Sequence, residues 1–330
     1  MYNSFLIDFF SYNWYNNIYI NFIIINCCPC NKNSNSTGEN MNKLKVTDVR
    51  ANPGDSAFLI DDGKTAILYD SGFAFTGFEV AENIKNILGD RPLDYIFLTH
   101  SHYDHALGSV YVKHYWKDAK VVAGEYAAKI FAKSSARALM RDLDSKFARK
   151  CGISEYEDLT DELCVDIPVS DGDVIRAGDL EFEILSLPGH TRCSVGYYCR
   201  SKKLLLSCET IGVYNGSDDV VPSYLVGYEM TISSVKRVQS LDIENIIIPH
   251  YGLLTGDKTK FYLAKAMESA VSTANEIASM LKNGKSKEEI TGFFKDKFYH
   301  GYIKEIYPVD AMELNTGISI ELIGREFDCI

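Results

Sequence analysis

From residue 41 onward the apolar residues fall into short runs broken by turn residues. AFLIDD (57–62) and TAILYD (65–70), joined through Gly63, predict a β-hairpin. In FEVAENIKNILGD, Val80, Ile84, Ile87 and Leu88 recur at helical spacing, with Gly89 as the stop. DYIFLT (94–99) reads as a buried strand. A helix from near His105 to about Trp116 and a short strand, KVVAG, follow it.

Residues 125–165 are charged and helical in pattern, with no clear strand, and read as a cap inserted into the framework. Strands return at LEFEILSLPGH (180–190), SVGYYCR (194–200) and KLLLSCE (203–209). A helix near 229–240 leads into NIIIPHYG (245–252). A long helix over about 257–282 comes next, then a second one begun by a capping box from Ser286 to Glu289. The last run, ISIELI (318–323), alternates and predicts a terminal strand. Physical pattern alone gives an α/β fold of helices over two sheets.

Residues 1–40 differ from the rest. They hold ten asparagines and no Lys or Arg before Lys32. Their longest apolar run, Ile18–Ile25, is too short to span a bilayer. The positive n-region of a secretory signal is missing. The expectation is a disordered or mis-assigned extension, with the functional chain beginning at Met41; a membrane-associated or lipid-anchored leader is the alternative. Residues 41–330 then form one domain, with the 125–165 cap and C-terminal helices over 257–305.

Charge narrows the partners. With 34 Lys and Arg against 45 Asp and Glu, the net charge of −11 argues against nucleic acid or anionic membrane. A small-molecule substrate is expected, and a homodimer is allowed. Nine scattered cysteines do not make a disulfide framework and fit a reducing cytoplasm.

The histidines carry the chemistry. There are seven, and three (His100, His102, His105) fall within six positions together with Asp104, directly after Ile96-Phe97-Leu98. Three more apolar runs end in a possible ligand: EILSLPGHT in His190, LLLSCET in Glu209 and NIIIPHYG in His250. If these strands lie side by side in one direction, their ends meet on one rim. Imidazole and carboxylate together suit zinc, manganese or iron. A lone strand-end histidine is more often a capped or hydrogen-bonded residue than a ligand. Four candidate ligands in six positions are not explained that way. Asp70 and Thr99 or Thr191 are candidates for orienting an imidazole. Tyr214 and Tyr224 are phenols near the candidate ligands in sequence.

THSHYDH resembles the HxHxDH signature of the metallo-β-lactamase fold hydrolases, and LYDSG, PGHT and PHYG follow that family's order. The resemblance covers roughly residues 46–255. It implies a four-layer αββα sandwich with a helical insertion and C-terminal helices. It implies two divalent metals, zinc first, with iron or manganese as alternatives. His100, His102 and His190 would hold one metal and Asp104, His105 and His250 the other. The family's bridging aspartate is replaced by Glu209, one methylene longer.

The activity implied is that of a dinuclear metal-dependent hydrolase using a metal-bridging hydroxide, with Asp104 also orienting that hydroxide. Its substrate would be a small ester, thioester, lactone or phosphoester. The alternative on the same scaffold is an iron-dependent oxidoreductase of the persulfide-dioxygenase kind.

Overall fold

The computed structural model describes residues 44–329 and the backbone of Ile23–Ile24. The expectation for residues 1–40 otherwise lies outside the described residues. Seven strands form the first sheet, in chain order: β1 (Ile23–Ile24), β2 (Lys45–Asp48), β3 (Phe58–Asp61), β4 (Ala66–Tyr69), β5 (Tyr95–Phe97), β6 (Lys120–Gly124) and β7 (Ile167–Val169). β3 and β4 are the expected hairpin, and β4 to β7 run parallel. The second sheet draws on β8 (Val174–Ala177), β9 (Leu180–Ser186), β10 (Val195–Cys199), β11 (Leu204–Leu206), β14 (Asn245–Ile248) and β15 (Gly252–Thr255), in the order β15-β14-β11-β10-β9-β8. A two-stranded ribbon, β12 (Val213–Tyr214) with β13 (Val220–Val221), stands apart.

Strand alternation sorts the core into layers. Ile67, Tyr69 and Phe97 of the first sheet share one cluster with Phe182, Ile184, Tyr197 and Leu206 of the second. The next residues in register, Leu68, Ile96 and Leu98, face the opposite way. There they meet Val80, Ile84 and Leu88 of α1 (Gly77–Leu88) and Val110 of α3 (Gly108–Tyr115). Leu185, Leu205, Ile246 and Ile248 pack outward on Val235 and Val238 of α6 (Tyr228–Gln239) and on Tyr262 of α7 (Asp257–Lys282). Both faces of each sheet are covered, so the strands read as continuous apolar runs rather than alternating ones. The result is the expected helix–sheet–sheet–helix sandwich.

Several elements follow the sequence pattern closely. α1 ends at Gly89, whose φ of 60° suits glycine. α8 (Lys287–Phe298) opens with the full capping box of Ser286 and Glu289. The charged stretch after β6 forms α4 (Glu125–Phe131) and α5 (Ser134–Lys150). Cys199 and Cys208 are buried, and the six cysteines among the described residues are free. No helix among the described residues is long and apolar enough to cross a membrane.

Two expectations fail. ISIELI is not a strand: it lies in α10 (Val309–Glu326), which follows α9 (Tyr302–Ile306). Over six residues the run alternates with period two. Over the whole helix, the buried Met312, Thr316, Ser319, Ile320 and Ile323 recur every three or four positions, and tertiary packing on α7 and α8 selects that period. Nor do all the ligand-bearing strands lie side by side, although β11 and β14 are parallel neighbours. β5 belongs to the other sheet, and antiparallel β10 separates β9 from β11.

Candidate metal centre

The geometry still brings the strand ends together. β9 and β11 are both antiparallel to β10, and β11 is parallel to β14, so these three run in one direction and end on one edge. Their ends are followed by His190, Glu209 and His250. The two sheets are tied together close by. Tyr69 Oη donates to Ser207 O at 2.6 Å, and Val195 N donates to Thr99 O at 2.9 Å. The loop after β5 is thereby fixed against the second sheet. It carries His100, His102 and α2 (Tyr103–Ala106), which holds Asp104 and His105.

All seven candidate side chains converge. One atom from each of His100, His102, His190 and Glu209 forms a group spanning no more than 4.8 Å, and Asp104, His105 and His250 form a second such group. Glu209 stands between them. Its Oε2 lies 2.7 Å from His190 Nε2, 3.5 Å from His100 Nε2 and 3.6 Å from His105 Nε2. Its Oε1 lies 3.3 Å from His250 Nε2. Asp104 Oδ2 is 3.7 Å from His105 Nε2 and 3.8 Å from His250 Nε2.

The outer nitrogens of the rings fix which atoms face inward. Asp70, at the end of β4 with φ of 50°, turns its carboxylate back under the cluster. It accepts from Ser56 Oγ at 2.9 Å, from Thr99 N at 2.9 Å and from Thr99 Oγ1 at 3.1 Å. It also accepts from His105 Nδ1 at 2.7 Å. The Thr99 hydroxyl spends its proton on Asp70, so it accepts from His100 Nδ1 at 2.9 Å. His190 Nδ1 donates toward Ser223, whose carbonyl is 3.2 Å away, and His250 Nδ1 donates to Gly54 O at 3.0 Å. Four imidazoles therefore present Nε2 to the centre, the tautomer set by the acceptor on the other nitrogen. His102 presents Nδ1, 3.0 Å from His190 Nε2.

This arrangement has too many lone pairs and too few protons. Nε2 of His100, His105 and His250 is buried with no hydrogen-bond partner. Such atoms are rare in folded proteins and costly unless something satisfies them. A cation does so, and imidazole with carboxylate is the donor set zinc, iron and manganese accept. The residues fit the group.

Electrostatics favour the ligand state at His100, His102 and Glu209, but at His105 and Asp104 they favour a proton that a cation would have to displace. Burial, reinforced by neighbouring imidazoles, holds His100 well below the usual histidine range. Burial and then His190 push His102 down to about 3. Burial opposes a charge on His105, but Asp70 and Asp104 outweigh it and raise its pKa. Burial also opposes the Glu209 carboxylate, yet His190 and the other imidazoles hold its pKa well below the usual range. Burial raises Asp104.

His250 has φ of 62°, and its carbonyl accepts from Arg50 Nη1 and Tyr302 Oη. Non-glycine residues in this region are costly and cluster at functional sites. The remaining histidines lie elsewhere: His114 faces Glu162 at 3.2 Å and His300 faces Lys297 O at 3.0 Å. Thr191 does not orient an imidazole; its hydroxyl meets Ser194 Oγ at 2.8 Å. Of the two candidate phenols, Tyr214 Oη donates to Ser217 O and Tyr224 Oη is buried without a partner. The phenol that does reach the cluster is Tyr307, which donates to Glu209 Oε1. It arrives from the loop between α9 and α10, and no local pattern marks it.

A family model described as the metallo-beta-lactamase superfamily matches residues 54–250. The chain is 22% identical over 213 residues to the hydroxyacylglutathione hydrolase GloC of Haemophilus influenzae, covering 64% of this chain and 92% of that one. It is 24% identical over 169 residues to a hydroxyacylglutathione hydrolase of a Bradyrhizobium species, spanning 46% of this chain and 54% of that one. A metallo-beta-lactamase family protein of Thermus thermophilus superposes with a TM-score of 0.55 at 15% identity, covering 88% and 91% of the two chains.

Proposed function

We propose that this chain, which belongs to the metallo-beta-lactamase superfamily, is a metal-dependent hydrolase that holds two divalent cations. His100, His102 and His190 would hold one, Asp104, His105 and His250 the other, and Glu209 would bridge them. The observation that carries the reading is the set of three buried, unpartnered Nε2 atoms arrayed about the two oxygens of one carboxylate. Zinc is the expected metal, and a small ester, thioester, lactone or phosphoester the expected substrate class.

When bound, such cations acidify water and polarise a carbonyl or phosphoryl oxygen. The chain's own residues do the rest. Asp70 and Thr99 hold the tautomers of His105 and His100. Asp104, 14% exposed as a side chain, lines the cavity and can orient a water and take its proton. Tyr307 holds Glu209 Oε1, fixing how that carboxylate divides between the two groups.

Support from relatives is consistent with hydrolysis, since two distant ones are named hydroxyacylglutathione hydrolases. The test is a panel of esters, thioesters, lactones and phosphodiesters assayed with metal-loaded protein against His102→Ala. Loss of about 100-fold or more in the variant is expected, in line with removal of metal chemistry. Equal rates in the two proteins would refute the assignment.

A further inference from the structure

We infer that this site selects an uncharged acyl substrate with an apolar chain, an ester, thioester or lactone, over thioesters that carry anionic groups away from the reacting bond; this rests on the hydrolase reading above. The cavity that opens onto His102, Asp104, His190 and Glu209 encloses about 260 Å³. Its outer walls are mainly apolar, with Asn315 of α10 a polar exception. They include Phe73 from the loop after β4, Leu143 and Phe147 of α5, and Ile306, Leu314 and Ile318 at the C-terminal helices. Phe73 and Phe147 pack with ring centroids 4.8 Å apart.

Charge is missing where a charged ligand would need it. Among the described residues lining the cavity there is no Lys or Arg, and the charged ones are Asp104 and Glu209 of the cluster itself. Nearby cations are engaged elsewhere: Lys150 pairs with Asp310, and Arg50 pairs with Asp48 at 2.6 Å. Bound metals would answer one anionic group at the cluster. Nothing along the cavity answers a second, and recognition of carboxylate or phosphate ordinarily uses Arg or Lys. A glutathione thioester brings two carboxylates and one ammonium, and the cavity lining offers its carboxylates no Lys or Arg.

The rim gives a second observation. Leu314 and Ile318, one turn apart on α10, line the cavity yet remain 62% and 37% exposed. Their exposed area would be covered by an apolar chain lying along the cavity. Hydrolysis then breaks the acyl C–O or C–S bond. Water supplies the hydroxyl to the acyl carbon and the proton to the leaving alcohol or thiol.

Two measurements test this on the full chain. Calorimetric titration with N-methyl alkanamides of two to eight carbons, which are not hydrolysed on that timescale, reads binding without turnover. Affinity is expected to rise about threefold to fourfold per methylene, the equivalent of ~0.8 kcal/mol each. The rise should be blunted in Leu314→Glu and in Ile318→Glu, whose exposed positions tolerate the change in folding. The second measurement is kcat/KM for acetyl and octanoyl 4-nitrophenyl esters and for S-lactoylglutathione. An octanoyl-to-acetyl ratio of about tenfold or more that falls in both variants supports the inference. A flat amide series, or a preference for S-lactoylglutathione over the uncharged esters, overturns it and leaves the hydrolase reading intact. A rising amide series with no hydrolysis of any substrate supports the apolar cavity and refutes the hydrolase reading.

Discussion

The Asp70 carboxylate lies 2.7 Å from His105 Nδ1 and, through the Thr99 hydroxyl, also reaches His100. One buried acid thus sets two imidazoles, one from each candidate metal group. Asp70→Asn keeps the shape but lets an amide face His105 in place of an acceptor. Metal affinity should fall about 10- to 100-fold, as for other residues that orient ligands. Competition with a chromophoric chelator measures it. Unchanged affinity would mean that the ring orientation is set elsewhere.

Among the described residues, Glu209 is the one whose two oxygens face both groups. Glu209→Gln should lower the metal content of purified protein from about two equivalents to one or fewer, read by elemental analysis, because a neutral amide bridges two cations poorly. Retention of two equivalents would show that the bridge is dispensable.

Tyr307→Phe removes the hydroxyl that donates to Glu209 Oε1 and leaves that oxygen short of a partner. A kcat about tenfold lower with both metals retained is expected, a loss typical of one charge-assisted hydrogen bond. Metal loss in step with activity would instead make Tyr307 part of the metal-holding structure.

Asp144 supplies a pH test away from the metals. It is fully buried in α5, accepting from Ala74 N at 2.9 Å and Tyr156 Oη at 2.6 Å. Burial, only partly offset by these bonds, lifts its pKa to about 7. The folded chain therefore binds a proton between the unfolded value near 3.8 and about 7 that the unfolded chain does not. The contribution of Asp144 to stability is thus fully present below about pH 3.8 and is lost as pH rises through about 7. Asp144→Asn cannot ionise. Its Tm relative to the parent protein should climb between pH 4 and pH 7.5, followed by scanning calorimetry in matched buffers. A difference independent of pH would contradict this.

Gly108 begins α3 directly against the LYDSG segment. A Cβ there would meet Ser71 O at 1.8 Å, and backbone on both sides cannot give way cheaply. Gly108→Ala should cost about 2 kcal/mol or more by forcing these segments apart. Chemical denaturation checks it, and a loss below 0.5 kcal/mol would show that the loop yields.

Much of this was readable from the chain because the informative signals are local. His100, His102, Asp104 and His105 sit in one short segment after β5, so six consecutive positions reveal them. Runs such as ILYD and NIII locate strand ends, and the residues after them are where ligands can converge. The relative placement of those ends was not readable. β10 between β9 and β11 is a topological choice made by long-range packing. Tyr307, distant in sequence from every other member of the cluster, is placed only by how α9 and α10 fold back onto the sandwich. ISIELI shows the same limit, since its alternation fits a strand and only its neighbours make it a helix.

Anomalous diffraction at the metal edge from crystals grown with zinc tests the central claim most directly. The account predicts two peaks about 3.5–4 Å apart. One would lie among His100, His102 and His190 and the other among Asp104, His105 and His250, with a Glu209 oxygen on each. A single peak, or two peaks with the Glu209 carboxylate outside both coordination spheres, would contradict it.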